Sequence, residues 1–180
     1  ESYEEYVRIQ TEINREKLGW VYAKPRVIKC IVDEVKFVGT VLCHGSRNGA
    51  EIKMFAAHWP HAEVLGTEIS DTATQFSRTI QWDMQKQKKE WIGKWDVVYS
   101  NSFDHCIYPM DALQAWKDQL SSDGSLFLEY SEQQSVYQAS DPLDATLAEV
   151  KQMLSDVGFS RVEKMNIDCQ AGGVLLRCRP

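Results

Sequence analysis

The sequence lacks long apolar runs, and this absence excludes one class of protein. No run reaches the roughly 18 residues that a membrane-spanning helix needs. The longer apolar stretches, such as 97–99 and 174–176, have the length of short strands. The first residues, Glu-Ser-Tyr-Glu-Glu-Tyr, are acidic, so we expect neither a signal peptide nor a transit peptide there. We predict a protein with no membrane span.

The sequence also lacks any Cys-x-x-Cys pair. Its five cysteines are scattered along the chain, at Cys30, Cys43, Cys106, Cys169 and Cys178. An odd and scattered set fits a reducing compartment, in which cysteines act as small core residues. We therefore expect a cytoplasmic protein.

Basic residues are scarce relative to acidic ones, with 20 Lys and Arg against 26 Asp and Glu, a net charge of −6. This balance argues against a nucleic-acid partner, although it leaves a local basic patch open. The 180 residues, 43% apolar and without repeats, are typical of one globular domain. We predict a single domain over 1–180, with an N-terminal helical cap over 1–36 and a core over 37–180.

A helix is predicted near the start of the chain, because apolar residues recur with helical spacing at Tyr6, Ile9, Ile13 and Leu18. Pro25 ends this helical segment. A second short helix is predicted over 27–35. From there, predicted strands alternate with predicted helices. The strands cover 37–43, 62–68, 79–82, 96–100, 125–130, 159–167 and 174–178. The helices cover 49–58, 72–76, 111–120 and 145–157, and 85–92 is predicted to be a polar helix or a loop. This alternation predicts an α/β fold, with a doubly wound parallel sheet of about seven strands covered by helices on both faces. The last two strands are too close in sequence for a crossover helix, so we expect them to pair antiparallel.

Four predicted strand ends carry residues suited to a nucleotide site, because ligands bind beyond the carboxyl ends of the strands in such sheets. They are the loop with Gly45, Ser46, Arg47 and Gly49, the pair Glu68-Ile69, the pair Asp83-Met84, and the segment Ser100-Asn101-Ser102. Each alone has an ordinary explanation, such as a turn, a solvated acid or a helix N-cap. Their order and spacing together are more specific.

This combination resembles the class I S-adenosylmethionine-dependent methyltransferases over about residues 37–180. Gly45 and Gly49 match the first and last glycines of the family's first loop, and Glu68 matches its ribose-binding acid. Asp83 with the following Met matches the pair beside the adenine. The segment 101–105, Asn-Ser-Phe-Asp-His, is similar to the Asn-x-Leu-Glu-His of small-molecule methyltransferases.

The resemblance implies a Rossmann-like sheet in the order 3-2-1-4-5-7-6 with strand 7 antiparallel. It implies S-adenosylmethionine as the cofactor and S-adenosylhomocysteine as its product. The cofactor contacts that it implies are Gly45, Ser46, Arg47, Gly49, Glu68, Ile69, Asp83, Met84, Ser100, Asn101 and Ser102.

Two positions depart from the family pattern, since Cys43 replaces an acid in the first strand and Arg47 replaces the middle glycine. An inward Arg47 would pair with the methionine carboxylate of the cofactor but repel its sulfonium. Alternatively, Arg47 faces solvent or pairs with Glu51. The dehydrogenase fingerprint Gly-x-Gly-x-x-Gly is absent, and Glu68 and Asp83 suit a cationic cofactor better than a pyrophosphate.

His105 is the candidate catalytic residue, a general base for an acceptor that must lose a proton. The alternative is a structural role, in capping the next helix or contacting the adenosine loop. Asp104 either assists His105 or lies on the surface, and the surface position is our prediction. No metal site is predicted, because Pro60 breaks the helix that would bring His58 and His61 together.

Two further regions bear on the site. Tyr3, Tyr6, Trp20 and Tyr22 either form a lid that excludes water or pack on the sheet. The polar run 131–141 after the fifth strand is predicted to form a wall of the acceptor site.

The sequence favours an enzyme that methylates a small molecule, a sugar or a lipid-linked, glycan-type acceptor. One alternative is nucleic-acid or protein N-methylation, but 100–103 lacks both prolines of the Asn/Asp/Ser-Pro-Pro-Tyr/Phe motif of amino-methylating relatives. Another alternative, suggested by Cys43 and Arg47, is a cofactor-binding scaffold that has lost catalysis. A homodimer stays open, since little chain remains for substrate recognition.

Overall fold

The computed structural model describes residues 2–36, 38–132 and 139–180. The α-helices in these ranges are α1 (Tyr3–Glu16), α2 (Pro25–Glu34), α3 (Ala50–His58), α4 (Pro109–Gln119) and α5 (Leu147–Asp156). The strands are β1 (Thr40–His44), β2 (Glu63–Glu68), β3 (Thr79–Gln81), β4 (Trp95–Ser100), β5 (Leu120–Tyr130), β6 (Arg161–Lys164) and β7 (Val174–Arg179). Among the described residues, every helix falls short of the length and apolar character that crossing a bilayer requires.

The strands form one sheet in the order β3-β2-β1-β4-β5-β7-β6. Neighbouring strands pair parallel except at β7, which is antiparallel to both β5 and β6. The predicted strand order and the antiparallel strand 7 are confirmed. The short β6–β7 connection has no room for a crossover helix, which is why these strands pair antiparallel.

Helices cover both faces of the sheet, as predicted. Val97 and Tyr99 of β4 face one core layer, in which they pack with α2 and α3. Val98 faces the other layer, which contains Trp116 of α4 and Leu154 of α5. The alternation follows from the period of two along a strand.

Several element boundaries differ from the sequence prediction. The segment predicted as helix 72–76 forms a 3-10 turn at Asp71–Gln75, and 85–92 is a loop with one such turn at Lys89–Trp91. These polar segments are too short to offset the cost of nucleating an α-helix. β5 begins already at Leu120, where a helix end was predicted, and a register shift follows between its pairings to Trp95 and Val97. The N-terminal residue of the predicted strand 37–43, Phe37, lies outside the described residues.

The helix α1 lies across the strand ends instead of on a sheet face. The Ser2 side chain caps its first turn by accepting from the Glu5 N–H. Near its other end, the Asn14 amide donates to Thr72 Oγ1 over 2.5 Å. The carboxyl edge of the sheet is therefore the place where α1 meets the loops that follow the strands.

Candidate functional site

The loop after β1 is a tight turn held against β2. His44, the last residue of β1, pairs with Thr67 of β2. Beyond it, the Ser46 N–H donates to the Thr67 carbonyl over 2.8 Å, and the Gly49 N–H donates to the Ser46 carbonyl over 2.7 Å. Gly49 has a φ of 72° and forms the N-cap of α3, so the loop 45–49 ends in a left-handed residue as a glycine readily allows.

Gly45 allows the loops after β1 and β4 to touch. Its φ is 69°, and a Cβ atom there would lie 2.7 Å from Cβ of Ser102, which no side chain could accept. Ser102 Oγ donates to the Gly45 carbonyl over 3.2 Å, and Ser100 Oγ donates to the His44 carbonyl over the same distance. The two loops thus form one surface at the sheet edge.

Glu68 ends β2 with its carboxylate fixed between two loops. Its Oε2 accepts from the Arg47 N–H over 3.1 Å, and its Oε1 accepts from the Ser70 N–H over 3.0 Å. The side chain is buried, and burial raises the pKa of its carboxyl, while the two backbone N–H groups oppose that rise. The carboxylate is held in one orientation and keeps lone pairs for further hydrogen bonds.

Asp83, just after β3, connects the sheet edge to α1. Its Oδ2 accepts from the Tyr3 hydroxyl over 2.8 Å, and its Oδ1 accepts from the Gln85 N–H over 2.9 Å. The carbonyl of the neighbouring Met84 accepts from the Trp116 indole N–H over 2.9 Å. The pair Asp83-Met84 is therefore anchored to both α1 and α4.

Two adjoining cavities occupy the sheet edge. The smaller, of about 50 Å³, lies between α1 and the ends of β2 and β3; its walls include Glu68, Ile69, Asp83 and Met84, with Tyr6, Gln10, Ile13 and Asn14 of α1. The larger, of about 330 Å³, includes Ser46, Asn101, Glu51, Glu129, Trp20 and Tyr22 in its walls. Four residues line both: Gly45, Arg47, Ser102 and His105.

The cavities bring together most residues that the resemblance assigned to a cofactor. The residues in their walls are Gly45, Ser46, Arg47, Glu68, Ile69, Asp83, Met84, Asn101 and Ser102. Gly49 and Ser100 lie behind these walls, where they hold the turn and the loop after β4. Of the predicted acceptor loop 131–141, Ser131 and Asp141 line the larger cavity, and residues 133–138 lie outside the described part of the chain.

Arg47 is the unusual residue of the turn. Its φ is 44°, in the left-handed region that a non-glycine residue rarely adopts. Its guanidinium lies 4.9 Å from the centre of the Tyr22 ring. Its Nε and Nη1 atoms are buried and have no hydrogen-bond partner among the described residues. A cation whose buried donors are unused, in a cavity wall, is suited to bind an anionic group.

His105 lies in both cavity walls between two carboxylates. Its Nδ1 is 2.7 Å from the Ser140 carbonyl and 3.2 Å from Asp141 Oδ1. A carbonyl accepts hydrogen bonds only, so Nδ1 carries the proton and Nε2, 3.9 Å from Asp104 Oδ1, is the basic nitrogen.

Asp104 is buried, so the predicted surface position was wrong. Its carbonyl accepts from the Leu143 N–H, because the chain around residue 143 folds over it. Burial raises the pKa of its carboxyl, and the neighbouring His105 opposes that rise. One potential ligand atom from each of Asp104, His105 and Asp141 lies within 4.8 Å of the others. The sequence did not predict this cluster, in which His105 lies between the carboxylates of Asp104 and Asp141.

His44 fills a core position. Its ring nitrogens contact Thr67 Oγ1 over 3.0 Å and Gln119 Oε1 over 2.8 Å, and its ring stacks on Trp116. Burial lowers its pKa to about 4, so it is neutral near pH 7.

The comparisons with known proteins identify the architecture. No protein-family model and no curated protein matches the sequence. The 1,6-didemethyltoxoflavin-N1-methyltransferase of Burkholderia thailandensis, solved with 1,6-didemethyltoxoflavin and S-adenosylhomocysteine, matches with a TM-score of 0.74 at 15% identity, over 99% of this chain and 89% of that chain. The chain has the class I methyltransferase fold.

Two further structures share this methyltransferase fold. A Haloferax volcanii complex, between the Trm112 methyltransferase activator and a protein described as a methyltransferase, matches with a TM-score of 0.71 at 15% identity, over 98% of this chain and 97% of that chain. The citrinin polyketide synthase CMeT domain matches with a TM-score of 0.60 at 12% identity over 79% of this chain, which spans 46% of that chain. At these sequence identities, the similarity shows a shared fold and no more than that.

The burial of two acids in the wall of the larger cavity was not predicted from the sequence. Glu51, in the first turn of α3, is fully buried in the wall of the larger cavity, and burial raises its pKa to about 8. Glu129, near the end of β5, accepts from the Tyr99 hydroxyl over 2.9 Å in the same wall. Both interrupt apolar stretches, and an acid inside an apolar strand or helix face is the signal that would have found them.

Proposed function

We propose that the protein is an S-adenosylmethionine-dependent methyltransferase that acts on a small molecule. The observation that carries this proposal is the meeting of two fixed carboxylates, Glu68 and Asp83, with the Gly45 turn at the carboxyl edge of a class I methyltransferase fold. Ligands of doubly wound sheets bind at this edge.

The residues at this edge fit the cofactor's adenosine. Glu68 would accept from the ribose hydroxyls, since its oxygens are oriented by two backbone N–H groups. Asp83 would accept from the adenine amino group, with Met84 and Ile69 beside the ring. Gly45 permits the close approach that a Cβ atom would prevent.

Arg47 fits the methionine end of the cofactor. Its buried Nε and Nη1 atoms are free donors that would bind a carboxylate. When bound, S-adenosylmethionine supplies a methyl group activated by a positively charged sulfur. The chain's own task is to hold the acceptor in line with that methyl group in the larger cavity.

His105 would serve acceptors that lose a proton. Its Nδ1 proton is held by the Ser140 carbonyl, which leaves Nε2 to accept a proton from the acceptor. Asp141 would stabilise the charged ring that results.

A cofactor-binding scaffold is the second candidate. It is favoured by Cys43 and Arg47, which stand where the family pattern has an acid in the first strand and a glycine in the first loop. Turnover of any acceptor would exclude it. The proposal has three further parts. We propose a cap over 1–36 and a core over 37–180. We also propose a cytoplasmic location, which the five free cysteines support, and a homodimer.

Calorimetry with S-adenosylhomocysteine tests the cofactor assignment. We expect the wild-type protein to bind it, and Glu68→Gln to weaken binding roughly tenfold or more, as loss of a charged hydrogen-bond acceptor does. Glu63→Gln, an exposed acid on the same strand, is the matched control and should bind as wild type does. If the wild-type protein binds neither S-adenosylmethionine nor S-adenosylhomocysteine, the proposal fails.

A further inference from the structure

The walls of the larger cavity are mainly acidic. Among the described residues, they contain four carboxyl side chains and two cationic ones: Glu51, Asp104, Glu129 and Asp141, with Lys17 and Arg47. Arg47 is assigned above to the cofactor. The ionisable side chains that a methyl acceptor would meet are therefore mostly acidic. Glu51 is neutral near pH 7, because burial raises its pKa to about 8.

Glu129 is a buried carboxyl without a direct ion pair; burial raises its pKa, and its hydrogen bonds and the charges of Arg26 and Lys24 oppose that rise. It is 9% exposed, and its Oε2 accepts from the Tyr99 hydroxyl over 2.9 Å. None of the ion pairs within 4.0 Å in the described part of the chain includes it. A buried carboxylate is unfavourable until a cation or further donors compensate its lost hydration.

Gln170 adds an unused acceptor beside Glu129, whose carboxylate already accepts from Tyr99. Its backbone N–H hydrogen-bonds to the Glu129 carboxylate, so the two residues are in contact. Its side-chain Oε1 is buried and has no hydrogen-bond partner among the described residues. Both residues line the larger cavity. We call these two hydrogen-bond acceptors, the Glu129 carboxylate and the Gln170 Oε1 atom, the acceptor wall.

Such a wall selects ligands by charge. A carboxylate or phosphate placed against it would face Glu129 without a matching donor, whereas an ammonium or N–H group would satisfy both acceptors. The volume of about 330 Å³ lies at the small end of ligand cavities, so the ligand is compact.

We propose that the acceptor wall of Glu129 and Gln170 binds a protonated amine or another N–H donor, and that the methyl acceptor is a compact amine-bearing molecule. The claim that the bound amine is the methyl acceptor rests on the proposed function, whereas the claim that the cavity binds an amine does not. The recognised amine need not be the atom that is methylated.

The test uses three fragments of nearly equal size on the full-length protein saturated with S-adenosylhomocysteine: benzylamine, benzyl alcohol and benzoate. Binding is measured by ligand-observed NMR titration. We expect benzylamine to bind more tightly than benzyl alcohol and benzoate to bind least. Glu129→Gln, which keeps an acceptor for Tyr99, should weaken benzylamine at least tenfold and leave S-adenosylhomocysteine binding unchanged. Glu163→Gln, an exposed acid of β6, is the matched control.

Each outcome decides the proposal. It is overturned if benzoate binds as tightly as benzylamine, if Glu129→Gln leaves benzylamine binding intact, or if none of the fragments binds. If Glu129→Gln does not fold, Gln170→Leu replaces it, and an unchanged benzylamine affinity then overturns the proposal. A wild-type protein that binds benzylamine but not S-adenosylhomocysteine would support the acceptor wall while rejecting the proposed function.

Discussion

The hydroxyl of Tyr3 donates a 2.8 Å hydrogen bond to Oδ2 of Asp83 and so attaches α1 to the end of β3. The same carboxylate is the proposed acceptor for the adenine amino group. The tyrosine and the nucleoside would therefore share one oxygen, and a donor that is already bound there weakens it as an acceptor for adenine.

We expect Tyr3→Phe to bind S-adenosylhomocysteine more tightly than wild type does. A hydrogen bond to a charged group contributes about 1.5–3 kcal/mol, so the gain in affinity is at most roughly 12- to 160-fold. Calorimetry measures it, and Tyr108→Phe, an exposed tyrosine, serves as the control. Weaker binding by Tyr3→Phe would mean instead that the tyrosine stabilises the bound state.

We expect Arg47→Gln to discriminate between two cofactor fragments. S-adenosylhomocysteine has a carboxylate and 5′-methylthioadenosine has none, so the variant should lose roughly 10- to 100-fold in affinity for the first and little for the second. Arg78→Gln is the matched control, because Arg78 also has a positive φ. Equal losses for both ligands would show that Arg47 acts on the loop rather than on the carboxylate.

We expect the stability of the protein to fall as the pH rises from 6.5 to 8, in part because of Glu51. Burial raises the pKa of this carboxyl to about 8, whereas its ordinary value is 4.5, so the folded state binds a proton that the unfolded state releases. A group of this kind contributes less stability as the pH approaches its folded pKa, by about 1–2 kcal/mol over this interval. His44 opposes this slope near pH 6.5, because burial lowers its pKa from 6.5 to about 4 and the unfolded state therefore binds a proton that the folded state does not.

Urea denaturation at pH 6.5 and 8 measures this effect. The loss of stability in wild type should be absent or reduced in Glu51→Gln and unchanged in Glu163→Gln. The same slope in wild type and Glu51→Gln would assign the effect to another group.

We expect His105→Gln to slow methyl transfer to an acceptor that must lose a proton by roughly 100-fold or more. Binding of S-adenosylhomocysteine should change little, and the acidic limb of the pH–rate profile should disappear. Asp141→Asn should retain that limb at a shifted pH, because the base itself is still present. A purely structural histidine would lower stability without altering the profile.

The sheet could be predicted because its strands are apolar runs bounded by Gly, Pro or acids, and period and spacing are properties of the local sequence. Glu68 and Asp83 could be placed at one edge for the same reason, since they directly follow strands. The 3-10 turns at Asp71–Gln75 and Lys89–Trp91 could not be told from helices, because three to five polar residues carry no periodicity.

The contacts that give the site its chemistry depend on chain segments far apart. Arg47 packs on Tyr22, which lies in an irregular stretch without a repeating pattern. Asp104 is buried by residues around Leu143, nearly forty positions later, and nothing local marks it as an interior acid. These features follow from the tertiary packing and were beyond local sequence rules.

The attachment of α1 has a consequence for the order of folding. Its hydrogen bonds to Asp83, to the His105 carbonyl and to the Ser140 carbonyl join positions 80, 99 and 130 residues apart. Contacts of such separation require closure of long loops, and the groups that receive them are positioned only once the sheet exists. We expect α1 to dock last and to be the first element whose amides exchange with solvent, so that the protein can open its nucleoside pocket while the sheet stays intact.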